Sequence, residues 1–190
     1  MNASGLAAVL MAHPLPVILL VTLFIAGVAF CNLQGRETAS TRRHRHNRAT
    51  AGRMLLRLAG LPGDAQRLTY LRKINPYVFE ELLLLAFERQ GLTVVRNDSY
   101  SGDGGINGQV LIDGERWLIQ AKRYGRTVEP EHVRQFDQLL KNYCRRGLFV
   151  HTGRTGKMSS DIHTASPRLR IISGQTLLAV LAGQGVRDFL

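Results

Sequence analysis

Between Met1 and Gly35 the chain carries no Asp, Glu, Lys or Arg, and within that stretch Leu15 to Cys31 reads LPVILLVTLFIAGVAFC. Such a run has few ways to fold. As a helix it rises about 1.5 Å per residue, so residues 6–31 are long enough for a hydrocarbon core about 30 Å thick. A cleaved signal peptide is the competing reading. It needs a positively charged leading region, which is missing, and Phe30 is a poor residue to stand before a lipoprotein-type Cys31. The expectation is an N-terminal transmembrane helix within residues 1–35.

Arg36, Arg42, Arg43, Arg45, Arg48, Arg53 and Arg57 follow, with no basic residue on the other flank. The positive-inside rule then predicts a single-pass protein of the inner (cytoplasmic) membrane, with its large domain in the cytoplasm. There the thiol of Cys144 stays reduced. The net charge is +11, from 25 Lys and Arg against 14 Asp and Glu. Much of it falls in residues 36–70, expected to be a basic, helical juxtamembrane linker. Such a block either marks topology and attracts anionic lipid, at about 1 kcal/mol per basic side chain, or binds nucleic-acid phosphate. Its position favours the first. His44 and His46 lie among arginines with no acidic or Cys neighbour, a pattern of solvated charge and not of a ligand set.

Hydrophobic residues make up 45% of the chain, outside the low-hydrophobicity class that stays disordered. Two cysteines, Cys31 and Cys144, are too few for a disulfide scaffold and lack zinc-site spacing. Residues 71–190 read as one α/β domain. Two short helices broken at Leu61-Pro62-Gly63 lead into it. Asn75-Pro76 starts a helix that runs to about Gln90, because Asn caps and Pro fits the first turn. Its apolar residues cover much of its circumference. Strand-like runs follow at 92–96, 109–112, 115–122, 148–152 and 169–172, with helices expected at 129–143, 159–165 and 175–181. The result is a mixed sheet flanked by helices.

Asp113-Gly114 suits a type I′ turn. Ile112 then faces Glu115, Val110 faces Trp117 and Asn107 faces Gln120. Opposed residues point to the same side of a sheet. One side carries Val110, Ile112, Trp117, Ile119 and Ala121, a core face. The other gathers Asn107, Gln109, Gln120 and Lys122 at one end, beside the glycine-rich SGDGGING segment that holds Asp103. On pattern alone this polar side is the solvent-facing side of an edge hairpin, and Asn107-Gly108 is a turn pair with positive φ.

NPYVFEELLLLAFERQGLTVVRN, SGDGGINGQV, WLIQAKRYG, FVHTG and RIISGQTLLAVL occur in that order, and together they resemble the Mrr-like restriction endonuclease family of the PD-(D/E)xK nuclease superfamily, over about residues 71–181. The resemblance implies a restriction-endonuclease-like fold and a metal-dependent endonuclease (a hydrolase) acting on double-stranded DNA with Mg²⁺ or Mn²⁺. By motif, Gln120 and Lys122 match the family's Q-x-K. Glu80 matches its helix glutamate, and Asp103 the first acid of its D-G-G-I-D pattern. Asn107 stands where the second, metal-holding acid is expected. The implied catalytic set is Glu80, Asn107, Gln120 and Lys122, and the implied metal set is Glu80, Asp103, Asn107 and Gln120.

Phosphodiester hydrolysis needs an aligned water, neutralised charge on the phosphorane-like state and a stabilised leaving oxygen. Mg²⁺ prefers anionic oxygen ligands, so a neutral amide at 107 weakens its hold. A catalytically impaired pseudo-nuclease, binding DNA or a protein partner at the membrane, is the alternative. Arg123, Arg126, Lys141, Arg145 and Arg146 are candidates for a DNA path, or else solvated strand and helix ends. A homo-oligomer is compatible with the sequence.

Overall fold

The computed structural model describes residues 14–35, 39–97 and 105–190, in two compact units, Met1–Arg42 and Arg43–Leu190. In the first unit, α1 is a 22-residue helix, Pro14–Gly35. Its apolar side chains are exposed, Leu15 at 79% and Phe24 at 73%. Thr22 returns its hydroxyl to the carbonyls of Ile18 and Leu19, at 3.0 and 2.9 Å. Among the described residues no helix is long and apolar enough to cross a membrane. The transmembrane helix expected ahead of the α/β domain is therefore not shown.

Helix α2 (Ala39–Ala59) begins in the last residues of the first unit, and in the second unit it, α3 (Asp64–Leu71) and α4 (Pro76–Arg89) precede a five-stranded sheet. Helix α2 begins well before Arg53, where apolar periodicity first predicts one. The break at Pro62-Gly63 is where the spacing puts it. Helix α4 starts as its capping residues dictate: Asn75 Oδ1 accepts the Tyr77 N–H at 2.9 Å and Pro76 is the first helical residue.

The strands β1 (Thr93–Arg96), β2 (Gly108–Ile112), β3 (Glu115–Lys122), β4 (Arg146–His151) and β5 (Leu169–Ile172) lie side by side in chain order. β1, β2 and β3 pair antiparallel, while β3, β4 and β5 pair parallel. The crossovers carry α5 (Pro130–Asn142) and α6 (Lys157–Ala165), and α7 (Gly174–Leu181) follows β5.

Helices α2, α4 and α7 bury Leu55, Phe79, Leu83, Phe87 and Leu177 against Val110, Ile112, Trp117, Ile119 and Ala121, the face assigned to the core from the hairpin pattern. On the other face α5 lays Val133, Phe136 and Leu140 over Leu118, Phe149 and Leu169. β3 is thus a central strand covered on both sides, not an edge facing solvent. The parallel pairing with β4 and the packing of α5 bury Leu118 at 5% and Gln120 at 6% exposure.

The polar part of α2 is held by charge. His44 Nδ1 lies 2.8 Å from Glu81 Oε1, Arg96 Nε donates to Glu81 Oε2 at 2.9 Å, and Arg48 Nη2 donates to Glu88 Oε2 at 2.8 Å. Arg96 also bonds Glu88, and that bond more than any other cause holds the Glu88 carboxyl below its ordinary value. Glu81 is 1% exposed, so these partners offset the cost of removing its charge from water. His44 is thus engaged by a buried carboxylate and is not the plain solvated charge that its arginine-rich surroundings predict.

Candidate active site

Asp113 and Gly114 both have positive φ, 51° and 79°, as the mirror-image turn requires. The register is the expected one: Ile112 faces Glu115, Val110 faces Trp117 and Gly108 faces Ile119. Pairing continues one residue further, where the Asn107 N–H donates to the Ile119 carbonyl at 2.8 Å. The Asn107 side chain then turns into the ladder, and its Oδ1 accepts the Ala121 N–H at 2.7 Å. Asn107 is not among the described residues with positive φ. It therefore does not close a turn; it extends β2 beside Gln120.

Helix α4 brings Glu80 to the same place, with only 9% exposure. Burial pushes its carboxyl up to about 7, a hydrogen bond from the Asn107 amide pulls it back, and the neighbouring Glu81 charge pushes it up again. Asn107 is thus engaged at both ends, its oxygen by Ala121 and its amide group by Glu80.

Gln120 points to the α5 side of the sheet and is buried, and its Oε1 has no hydrogen-bond partner among the described residues. A buried acceptor without a partner costs about 1–3 kcal/mol, so it is a natural place for a ligand. Gly105, at φ +89°, presses on the same amide: a Cβ there would sit 2.4 Å from Gln120 Nε2. Only glycine fits that position. Two residues along, Lys122 ends β3, half-buried, opposite His151 of β4. Its ammonium makes no ion pair among the described residues. Asn107 thus bonds Glu80 on the α4 side and stands opposite Gln120, whose side chain, like that of Lys122 two residues on, points to the α5 side. Asp103 lies outside the described residues.

Sequence reasoning missed the neighbours of Lys122 on β4. His151 is fully buried, and burial lowers its pKa to about 4. Its Nε2 lies 3.1 Å from Thr155 Oγ1. Thr152 Oγ1 accepts from the Tyr124 N–H and donates to the Tyr124 carbonyl, both at 2.9 Å. Tyr124 in turn bonds His132 of α5, and burial together with the Glu129 charge pushes its phenol up to about 12. The string FVHTG was visible, but nothing local says that its histidine pairs with Lys122.

The basic candidates separate. Lys141 pairs with Asp137 at 2.7 Å, and Arg146 pairs with Glu115 at 3.5 Å while lying over Trp117. Arg145 and Arg146 stand at the start of β4, the end of the sheet away from Lys122. Arg123 Nη1 donates to the Arg72 carbonyl at 2.5 Å.

Among the described residues no three His, Cys, Asp or Glu side chains cluster to hold a metal. The oxygens on offer are the Glu80 carboxyl, Gln120 Oε1 and the second lone pair of Asn107 Oδ1. These fit a hard divalent cation in kind, and the partnerless Gln120 oxygen is the donor that such an ion would satisfy. In charge the set is lean: one carboxyl, which must lose a proton held up to about pH 7.

The restriction endonuclease family model Mrr_cat matches residues 71–181, more than half of the chain. The chain belongs to this family. Glu80, Asn107, Gln120 and Lys122 all fall within the matched span. Among solved structures, the restriction endonuclease MspJI in complex with a 27-mer oligonucleotide is 22% identical, with a TM-score of 0.47, over 66% of this chain and 34% of that one. Restriction endonuclease FokI is 11% identical, with a TM-score of 0.48, over 82% of this chain and 34% of that one. The matches thus span about a third of each of those proteins. No curated protein matches the chain.

Proposed function

We propose that the protein is a DNA endonuclease that hydrolyses phosphodiester bonds with the aid of Mg²⁺ or Mn²⁺. The observation that carries this reading is the bond of the Glu80 carboxyl to Asn107, which stands opposite Gln120, two residues before Lys122, in a chain of the Mrr_cat family. Glu80 and Gln120 hold the cation, with Asn107 Oδ1 as a third, weaker donor. Bound there, it supplies Lewis-acid stabilisation of the phosphate charge and a more acidic water. Lys122 places its ammonium, which has no ion pair among the described residues, at the strand end, where it neutralises a non-bridging phosphate oxygen or orients the water. Asn107 has a structural task besides: its amide holds the Glu80 carboxyl and ties β2 to β3 at Ala121.

The test is cleavage of supercoiled plasmid by the full chain with Mg²⁺ or Mn²⁺, comparing the native protein with Asn107→Asp. The expected result is that both cut and the variant cuts faster, because a carboxylate restores charge to the metal set. Cleavage by the variant alone would instead make the native protein a binding module, and cleavage by neither would overturn the nuclease reading.

We further propose that α1 anchors the protein in the inner membrane, with the nuclease domain in the cytoplasm. Supporting this are the exposed apolar side chains of residues 18–30, the internally bonded Thr22 hydroxyl and the arginines from Arg36 onward. Retention in the membrane pellet after alkaline carbonate extraction is expected. Release into the supernatant would contradict it.

A further inference from the structure

Strand β5 is the last of the described sheet, with β4 on one side and no described strand on the other. The Gly147 N–H donates to the Arg168 carbonyl at 2.9 Å. Backbone groups along a parallel strand turn alternately to one side and the other, so Leu169 and Ile171 turn theirs to the free edge. The Leu169 groups are met there: its N–H donates to the Ser166 carbonyl at 3.4 Å, and its carbonyl accepts Arg170 Nη1 at 3.1 Å. Arg170 stands opposite Leu148 and so leaves the sheet on the α4 side. Its bond to the Leu169 carbonyl draws the guanidinium back round the edge.

His163 reaches that edge from the opposite side, because α6 packs Ile162 into the cluster beneath α5. The two side chains share one cavity of about 500 Å³, whose wall also includes Ser166, Pro167, Ile171 and Phe189. They lie within each other's field: after burial, the Arg170 charge is the cause that lowers the His163 pKa. Neither has an acidic partner among the described residues. The Ser166 hydroxyl bonds Asp137, whose charge Lys141 meets at 2.7 Å. Asp188, next to Phe189, is exposed and lies against Gly185. Of the five N–H donors of the Arg170 guanidinium, one is engaged by Leu169.

A volume of that size is in the range of small-molecule sites, and its two ends differ in chemistry. A phosphate monoester suits the cationic end, where a guanidinium fork makes charge-assisted bonds. The other end offers Pro167, Ile171 and the half-buried ring of Phe189. A bare sugar would turn its hydroxyls to these side chains without partners, whereas a flat aromatic base stacks on such a ring. We infer that the cavity binds a nucleoside monophosphate, with its phosphate between Arg170 and His163 and its base against Phe189, Pro167 and Ile171. The site lies two strands from β3, so it is separate from Gln120 and Lys122.

The full chain in nonionic detergent and EDTA, carrying isotope-labelled histidine, gives an imidazole signal for each of its six histidines. The signal lost in His163→Gln assigns His163. Adenosine monophosphate is expected to move that signal saturably. Arg170→Gln should weaken the binding about tenfold or more, as loss of a charge-assisted bond implies, with the other histidine signals unmoved as the check on folding. Arg168→Gln, outside the cavity wall, should bind as the native chain does. Adenosine and glycerol phosphate, which each carry one half of the ligand, should both bind more weakly than adenosine monophosphate. No saturable movement of the His163 signal, or equal binding by Arg170→Gln, would overturn the site. Glycerol phosphate binding as tightly as adenosine monophosphate would overturn its assignment to a nucleotide.

Discussion

Asn107 Oδ1 accepts the backbone N–H of Ala121 at 2.7 Å, so the residue proposed as a metal ligand is also the last rung of the β2–β3 ladder. Its amide group is left to bond Glu80. A carboxylate at 107 keeps the first contact and loses the second, because it has no N–H to donate. Asn107→Asp therefore sets two carboxyls against one another, an arrangement that shares a proton or takes a cation. Calorimetric titration with Mn²⁺ should show at least tenfold tighter binding in Asn107→Asp than in the native chain, about 1.4 kcal/mol. Equal affinity would mean that residue 107 does not face the cation.

Glu80 makes stability depend on pH in an unusual direction for a carboxyl. Between its ordinary value of 4.5 and the folded value of about 7, the folded chain holds a proton that the unfolded chain releases. Its contribution is thus complete below 4.5 and is lost as pH rises through 7, by at most about 3 kcal/mol. Glu80→Gln should melt higher than the native protein at pH 8 and close to it at pH 4.5. A difference of the opposite sign at pH 8 would show that the carboxylate is stabilised in the folded state.

His151 works the other way. Burial lowers its pKa from 6.5 to about 4, so folding favours the neutral ring. That contribution is present above pH 6.5 and is lost as pH falls through 4, again by at most about 3 kcal/mol. His151→Gln, which can still bond Thr155, should flatten the acid side of the stability profile between these limits. Urea unfolding at pH 4.5 and 7 measures it.

The ionic cluster around Glu81 predicts a larger effect. Arg96→Met removes the guanidinium from a carboxylate that is 1% exposed, leaving His44 to face it at 2.8 Å. Breaking one side of a buried pair costs about 3–5 kcal/mol, and a drop of that order in urea unfolding is expected. Arg134→Met, at an exposed pair with Glu131, should change stability by less than about 1 kcal/mol.

Local chemistry made much of this fold readable. The positive φ values that Asp113 and Gly114 adopt fix the hairpin register, and the register alone puts Asn107 opposite Gln120. Asn75-Pro76 marks the start of α4 in the same local way. Contacts across long sequence separations were not readable. Gln120 is buried because β4 pairs parallel to β3 and α5 covers the face, a consequence of a crossover that no period in the strand reveals. His151 beside Lys122 has the same origin. Helix α2 starts at Ala39 through a polar stretch that lacks apolar periodicity; the carboxylates that hold His44 and Arg48 lie 37 and 40 residues away.

The measurement closest to the central claim is plasmid cleavage by the full chain with Mn²⁺, comparing the native protein with Lys122→Ala. Lys122 makes no ion pair among the described residues, so its loss should leave folding intact. The account predicts nicking and linearisation by the native chain and a loss of at least a hundredfold in Lys122→Ala, about 2.7 kcal/mol of transition-state stabilisation. Cleavage by Lys122→Ala at the native rate would contradict it.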